Sequence, residues 1–134
     1  VTATLVARRS VTQALAEARA DLVRVEPADA AELVAAGGVL IDIRPVGDRR
    51  AEGTIPGAWI LERNVLEWRL DPQCPDRVGA VDDAFYDLPV IVVCNAGYAS
   101  SFAAASLQRL GLAGATDLVG GFRAWAAEGF PTVS

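Results

Sequence analysis

Val90-Ile91-Val92-Val93-Cys94 narrows what this chain can become more than any other segment. It is an unbroken apolar run, rich in β-branched residues and opened by Pro89. β-Branched side chains favour extended backbone. A strand without polar alternation must be covered on both faces, the situation of a parallel sheet. Parallel neighbours require crossover connections, usually helices. The rest of the chain supplies an alternation of that kind. Residues 10–20 read as a helix, with Ser10 and Gln13 as a capping box and Val11, Leu15 and Ala18 on one face. Residues 22–25 read as a first strand. Pro27 opens a helix through Leu33 and Val34 that Gly37-Gly38 stops. Residues 39–43 and 58–61 read as the second and third strands, joined by the turn-rich Gly53–Gly57. Residues 62–87 read as a long loop with a short helical piece. The apolar run is the fourth strand. Ser101–Leu110 reads as a helix with Ala103, Leu107 and Leu110 on one side and Gly111 as its stop. Residues 116–119 read as a fifth strand. Gly120-Gly121 leads into a last helix, with Phe122, Trp125 and Ala126 on one face and Gly129 as its end. The fold class is therefore α/β with a five-stranded, mainly parallel sheet flanked by helices. The expected organisation is an N-terminal helical extension over 1–21 and one domain over 22–134.

Composition then removes whole classes of function. There is no histidine, so Ser-His-Asp and Cys-His catalysis are excluded. Two cysteines, Cys74 and Cys94, form no CxxC and no zinc cluster. The net charge of -5 argues against nucleic acid and anionic membrane surfaces as partners. No apolar run approaches a membrane span. In the short apolar stretch Val1–Ala7 the arginines Arg8-Arg9 follow rather than precede, the reverse of a secretory signal. The expectation is a cytoplasmic protein with reduced thiols.

A nucleophile here must be activated without an imidazole. In open parallel sheets, ligands bind beyond the carboxyl ends of the strands. Cys94 ends the most apolar strand, and the small-residue loop Asn95-Ala96-Gly97-Tyr98-Ala99-Ser100 precedes a helix. Inward-facing backbone N–H groups and the positive end of the helix dipole favour thiolate over thiol. Ser100 and Ser101 are either hydroxyl donors or helix caps, and capping is expected of at least one. A cysteine ending a core strand is, taken alone, a buried and inert residue. The small-residue loop and its place beyond the strand turn the reading toward chemistry.

Over roughly residues 22–133 the chain resembles the rhodanese-like superfamily. Four landmarks in order carry the resemblance: Leu40-Ile41-Asp42-Ile43-Arg44; Glu52-Gly53-Thr54-Ile55-Pro56-Gly57-Ala58; Val92-Val93-Cys94 with Gly97 and Ser100; and Gly120-Gly121-Phe122-Arg123-Ala124-Trp125 with Gly129-Phe130-Pro131. The resemblance implies a three-layer fold with spatial strand order 1-5-4-2-3. It implies that Cys94 is the nucleophile and sulfur carrier, with the amides of Asn95 through Ser100 lining an anion pocket. Asp42 and Arg44 match the family's Asp-x-Arg and are read first as structural ties between loops. Trp59, Phe122 and Trp125 are read as core.

The activity implied is sulfur transfer through a Cys94 persulfide, from a small thiosulfate- or persulfide-type donor to a thiol, cyanide or a protein cysteine, with no metal or organic cofactor. Many members carry arginine just after the cysteine and again before the Ser/Thr, where this chain has Asn95 and Ala99. That departure questions the use of small dianions such as thiosulfate. Arg44, Arg63 and Arg69 are the cations that neighbouring loops can offer, Arg63 first because it follows the third strand. A phosphatase or arsenate reductase on this fold needs an arginine six residues after the cysteine, where Ser100 stands. A non-catalytic or redox-sensing binding module is the remaining alternative.

Overall fold

The computed structural model describes residues 6–134, so the first five residues of the Val1–Ala7 stretch lie outside the described residues. Ten elements follow one another: α1 (Val11–Arg19), α2 (Pro27–Ala35), β1 (Val39–Asp42), α3 (Val46–Glu52), β2 (Trp59–Ile60), α4 (Leu66–Leu70), β3 (Val90–Val93), α5 (Ala99–Arg109), β4 (Ala115–Asp117) and α6 (Gly121–Ala127). Single 3-10 turns, Arg63–Val65 and Asp83–Tyr86, punctuate the long connection between β2 and β3.

The sheet has the order β2-β1-β3-β4, and every pairing in it is parallel. β3 lies between β1 and β4, and all four of its residues have no exposed surface. The apolar run thus takes the place its composition demanded. The pleat sends its side chains alternately to two cores. Val90 and Val92 join Ile41, Leu66, Leu70 and Leu107 on one face. Ile91 and Val93 join Leu40, Leu118, Phe122 and Trp125 on the other. Helices cover both faces, which makes three layers.

The first expected strand is reduced to one residue. Over 22–25, only Val25 enters the ladder, as a parallel bridge to Leu118. Its N–H reaches the Asp117 carbonyl at 3.1 Å and its carbonyl takes the Val119 N–H at 2.9 Å. The segment is caught between two helices. Leu22 N–H still closes the last turn of α1 on the Arg19 carbonyl, and Pro27 already begins α2. Val23 is left exposed. The sheet therefore has four strands, with Val25 at the edge where the first was expected. The third strand contracts to Trp59–Ile60.

α3 has no counterpart in the sequence reading. It follows Pro45, contains Gly47 and two arginines, and buries no residue, so no apolar period marks it. α1 forms with both halves of the Ser10–Gln13 capping box. It packs on α5 through half-buried Ala14, Leu15 and Ala18, whereas Val11 points to solvent. Ala126 is likewise exposed, while Phe122 and Trp125 are buried. Trp59 is half-buried, with its ring 5.6 Å from that of Phe85. Among the described residues, no helix is long and apolar enough to cross a membrane.

Candidate active site

Cys94 is the first residue beyond β3, at the carboxyl edge of the sheet, and is 7% exposed. The chain turns at once and folds the loop back over the sulfur. The Gly97 N–H points at Sγ from 3.2 Å and the Ser100 N–H from 3.3 Å. Of the amides over Asn95–Ser100, these two meet the sulfur. The return depends on a left-handed Gly97 (φ 87°), whose missing Cβ would lie 2.7 Å from the Gly120 nitrogen. Gly121 (φ 63°) fits for the same reason, since a Cβ there would strike the Cys94 carbonyl oxygen. That close approach lets the Phe122 and Arg123 amides take the Cys94 and Asn95 carbonyls at 2.8 and 3.1 Å. The Gly120-Gly121 pair is thus the floor on which the sulfur loop rests.

Beneath the sulfur lies a network that the sequence reading did not find. The Cys94 thiol donates to the Ser100 hydroxyl at 3.2 Å. The Ser100 hydroxyl donates to Asp117 Oδ2 at 2.7 Å, and the Ser101 hydroxyl donates to the same oxygen at 2.8 Å. Asp117 ends β4 and is fully buried. Arg24 grips its carboxylate from below, Nε to Oδ1 at 2.9 Å and a terminal nitrogen to Oδ2 at 3.1 Å. The expectation of a serine cap fails. α5 starts at Ala99 with Tyr98 as its N-cap residue, so both serines sit inside the first turn and bond Asp117. A serine hydroxyl has one proton and two lone pairs. Ser100 therefore accepts the thiol's hydrogen bond while donating its own to Asp117. If the sulfur carries negative charge, the hydroxyl can turn to it, and Asp117 keeps Ser101 and Arg24.

Arg44 is buried and fully engaged. It donates to the Asp42 carboxylate from Nε at 3.1 Å and a terminal nitrogen at 2.9 Å, and to the Gly53 carbonyl at 2.7 Å. Its other terminal nitrogen reaches Asn95 Oδ1 at 3.3 Å, and its face lies 3.9 Å from the centre of the Phe122 ring. Asn95 in turn donates to Glu52 at 2.7 Å, and Arg123 donates to the same carboxylate. The Asn95 amide first and Arg123 second hold the Glu52 carboxyl below its ordinary range. Asp42, Arg44 and Asn95 thus tie three loops together.

Above Cys94 opens a pocket of about 390 Å³ bordered by Ile43, Pro45, Ala96, Tyr98 and Ala99, with Asp48 and Arg63 at its rim. Arg63 does reach this pocket, but its guanidinium is paired with both oxygens of Glu67 at 2.9 and 3.0 Å. Burial pushes the Glu67 carboxyl up, and hydrogen bonds from Ser106, the backbone and Arg63 outweigh it, so the group titrates below its ordinary range. Arg63 is accordingly already ion-paired where it stands. Arg69 is turned away, donating to the Asp76 carbonyl. Cys74 is half-buried and does not border the pocket.

The family model for the rhodanese-like domain matches residues 26–128. A curated relative named thiosulfate sulfurtransferase GlpE, from Stutzerimonas stutzeri (strain A1501), is 35% identical over 78% of this chain and 85% of its own length. Among solved structures, a protein of unknown function from Rhodopseudomonas palustris CGA009, described as a possible tyrosine phosphatase, is 29% identical. It covers 98% of this chain and 100% of its own with a TM-score of 0.82, so the match extends into the α1 extension. The human single-domain sulfurtransferase TSTD1 is 26% identical over 78% of this chain and 96% of its own, with a TM-score of 0.65.

Proposed function

The chain belongs to the rhodanese-like domain family, and from that premise we propose that it is a sulfurtransferase whose sulfur carrier is Cys94. One observation carries the assignment of the residue. Cys94 Sγ lies at the base of an open pocket with two backbone N–H groups directed at it. Donors of that kind, held by a loop ahead of a helix, suit a sulfur that bears negative charge. In the first step, Cys94 as thiolate attacks the outer sulfur of the donor. A new S–S bond forms, the donor's S–S bond breaks, and a thiolate or sulfite leaves with the electron pair. In the second step, an acceptor nucleophile attacks the terminal sulfur of the Cys94 persulfide. The S–S bond breaks and the Cys94 thiolate is regenerated. Cyanide, a low-molecular-weight thiol or a protein cysteine can serve as acceptor, and the scheme uses no metal or organic cofactor. We place the reaction in the cytoplasm, where both free cysteines stay reduced. The working unit is the domain over 22–134 with the extension over 1–21.

The pocket wall favours a donor with little charge. Ile43, Pro45, Ala96, Tyr98 and Ala99 present carbon surface, and Arg63 is already paired. A low-molecular-weight persulfide leaves as a single thiolate, whereas thiosulfate brings two negative charges into the same space. The preferred donor is therefore a persulfide. The name of the Rhodopseudomonas palustris relative raises phosphate chemistry as the other reading. That chemistry needs a planar cation on the phosphoryl oxygens. Ser100 occupies the position from which the loop would offer it, and Arg44 is committed to Asp42, Gly53 and Asn95. Intact-mass spectrometry after exposure to a persulfide donor tests the proposal. One added sulfur is expected on the wild type and none on Cys94→Ser. An unmodified wild type, with aryl phosphate turnover that Cys94→Ser abolishes, would replace this reading by the phosphatase one.

A further inference from the structure

The site's positive charge lies behind the loop rather than in it. Positions 95 and 99, where many members carry arginine, hold Asn95 and Ala99 here. Two guanidinium groups converge instead on one backbone atom. Arg19, the last residue of α1, donates to the Gly97 carbonyl at 2.7 Å, and Arg24 donates to it at 2.8 Å. Arg19 also donates through Nε to the Ser101 hydroxyl at 2.9 Å and lies 5.6 Å from the centre of the Tyr98 ring. One side chain from the extension thus spans the sulfur loop from Gly97 to the first turn of α5.

We infer that Arg19 and Arg24 are positioning residues for sulfur transfer, acting through the Gly97–Tyr98 peptide group to aim an amide at the transferred sulfur. The inference rests on the sulfurtransferase reading for its chemistry. Among the described residues every peptide bond is trans. In a planar trans peptide the carbonyl and the following N–H point in opposite directions. Drawing the Gly97 oxygen toward the two guanidiniums therefore turns the Tyr98 N–H the other way. The Gly97 N–H just before it and the Ser100 N–H two residues after it already meet Sγ. Among the loop amides that make no bond to Sγ, Tyr98 N–H is the one whose direction this carbonyl fixes, and it serves the outer sulfur of a persulfide, one bond further into the pocket. Two cations on the carbonyl also polarise that peptide group and strengthen its N–H as a donor. Arg24 has a second duty, since it holds Asp117, which in turn holds Ser100 and Ser101. Arg19 has no such duty. Its removal leaves the Arg24–Asp117 pair and both serine–Asp117 bonds in place, so it separates positioning from stability.

The test uses the full chain as Arg19→Ala, Arg19→Lys and Arg9→Ala. Arg9 pairs with Glu17, both well exposed, and makes no hydrogen bond to the loop, so its variant controls for disturbance of the extension. Persulfide-donor kinetics, thermal melting and the amide NMR resonances of Gly97 and Tyr98 are measured on each. Arg19→Ala is expected to lower kcat about fivefold with donor KM changed less than about twofold. Its melting temperature stays within about 3 °C of wild type. The Gly97 and Tyr98 resonances shift, and Arg19→Lys recovers part of both the shift and the rate. Wild-type kcat and unmoved resonances in Arg19→Ala would overturn the inference, as would an equal kinetic loss in Arg9→Ala. If the wild type forms no persulfide, the sulfur reading fails. The resonances then still decide whether Arg19 holds the peptide.

Discussion

Replacing Asp117 by alanine removes the acceptor at the centre of the site, and the structure sets the size of the loss. Its carboxylate receives two bonds from Arg24 and one each from Ser100 and Ser101, all in a residue with no exposed surface. Breaking a buried ion pair from one side costs roughly 3–5 kcal/mol, because the remaining charge is left without its partner. Three features pull the figure toward the lower end. The Arg24 side chain keeps 19% of its surface in water, it retains the Gly97 carbonyl as an acceptor, and the Ser100 hydroxyl can turn to the Cys94 sulfur. The expected destabilisation is about 3 kcal/mol, which for a domain of this size lowers the melting temperature by roughly 10 °C. A typical domain has about 5–15 kcal/mol to lose, so the variant remains folded at 25 °C. Urea unfolding followed by tryptophan fluorescence measures the change. Sulfur-transfer kinetics on the folded fraction measure its consequence for Cys94. Ser100→Ala, which leaves Asp117 bonded to Ser101 and Arg24, should lose only about 1 kcal/mol. A loss below about 1 kcal/mol in Asp117→Ala, no larger than that of Ser100→Ala, would refute the claim that this carboxylate holds the loop.

Three further outcomes follow from the charge and packing around the pocket. Ala99→Arg puts a cation on the pocket wall and should raise kcat/KM for thiosulfate about tenfold while leaving a persulfide donor within about threefold; steady-state kinetics with both donors check this. Glu67→Gln releases Arg63 and should favour thiosulfate in the same selective way. Glu67 titrates below its ordinary value of 4.5 when folded, so its pairing stabilises fully above that pH and is lost as pH falls through the lowered value. The acid limb of the stability–pH curve should accordingly be flatter in Glu67→Gln. Cys74→Ser should retain sulfur transfer within about twofold, since Cys74 does not border the pocket, and mass spectrometry of the oxidised protein should show no Cys74–Cys94 disulfide.

The sequence made the centre of the fold legible because the signals there are local and redundant. Five consecutive apolar residues at 90–94 allowed one environment, and β3 occupies it with every residue buried. Gly97 and Gly121 stood in the quoted landmarks, and the structure gives each its reason, since a Cβ at Gly97 would strike the Gly120 nitrogen and one at Gly121 the Cys94 carbonyl oxygen. What failed to show was whatever depended on competition between neighbours. Residues 22–25 have a strand's composition, yet the α1 turn and Pro27 leave only Val25 free to pair. α3 has no buried face and so left no period to read. Ser100 and Ser101 stand where capping serines are expected, but α5 already begins at Ala99, so both lie inside its first turn and their hydroxyls donate to the buried Asp117 carboxylate.

The charge of the site shows most clearly why a motif is not enough. Reading the loop letter by letter finds no cation at 95 or 99 and points to Arg63 as the replacement. The structure pairs Arg63 with Glu67 and brings in Arg19 and Arg24, which lie 78 and 73 residues before the Gly97 carbonyl they hold. Neither arginine carries a pattern of its own. One ends an amphipathic helix, where a basic residue is ordinary, and the other lies in a short connection. Their role comes from the acceptor they reach, and a backbone carbonyl has no letter in a sequence. It becomes visible only once the parallel order of β3 and β4 sets Asp117 beside the Cys94 loop and α1 packs on α5. In this chain, the extension that the motif leaves out supplies the guanidinium that the motif lacks.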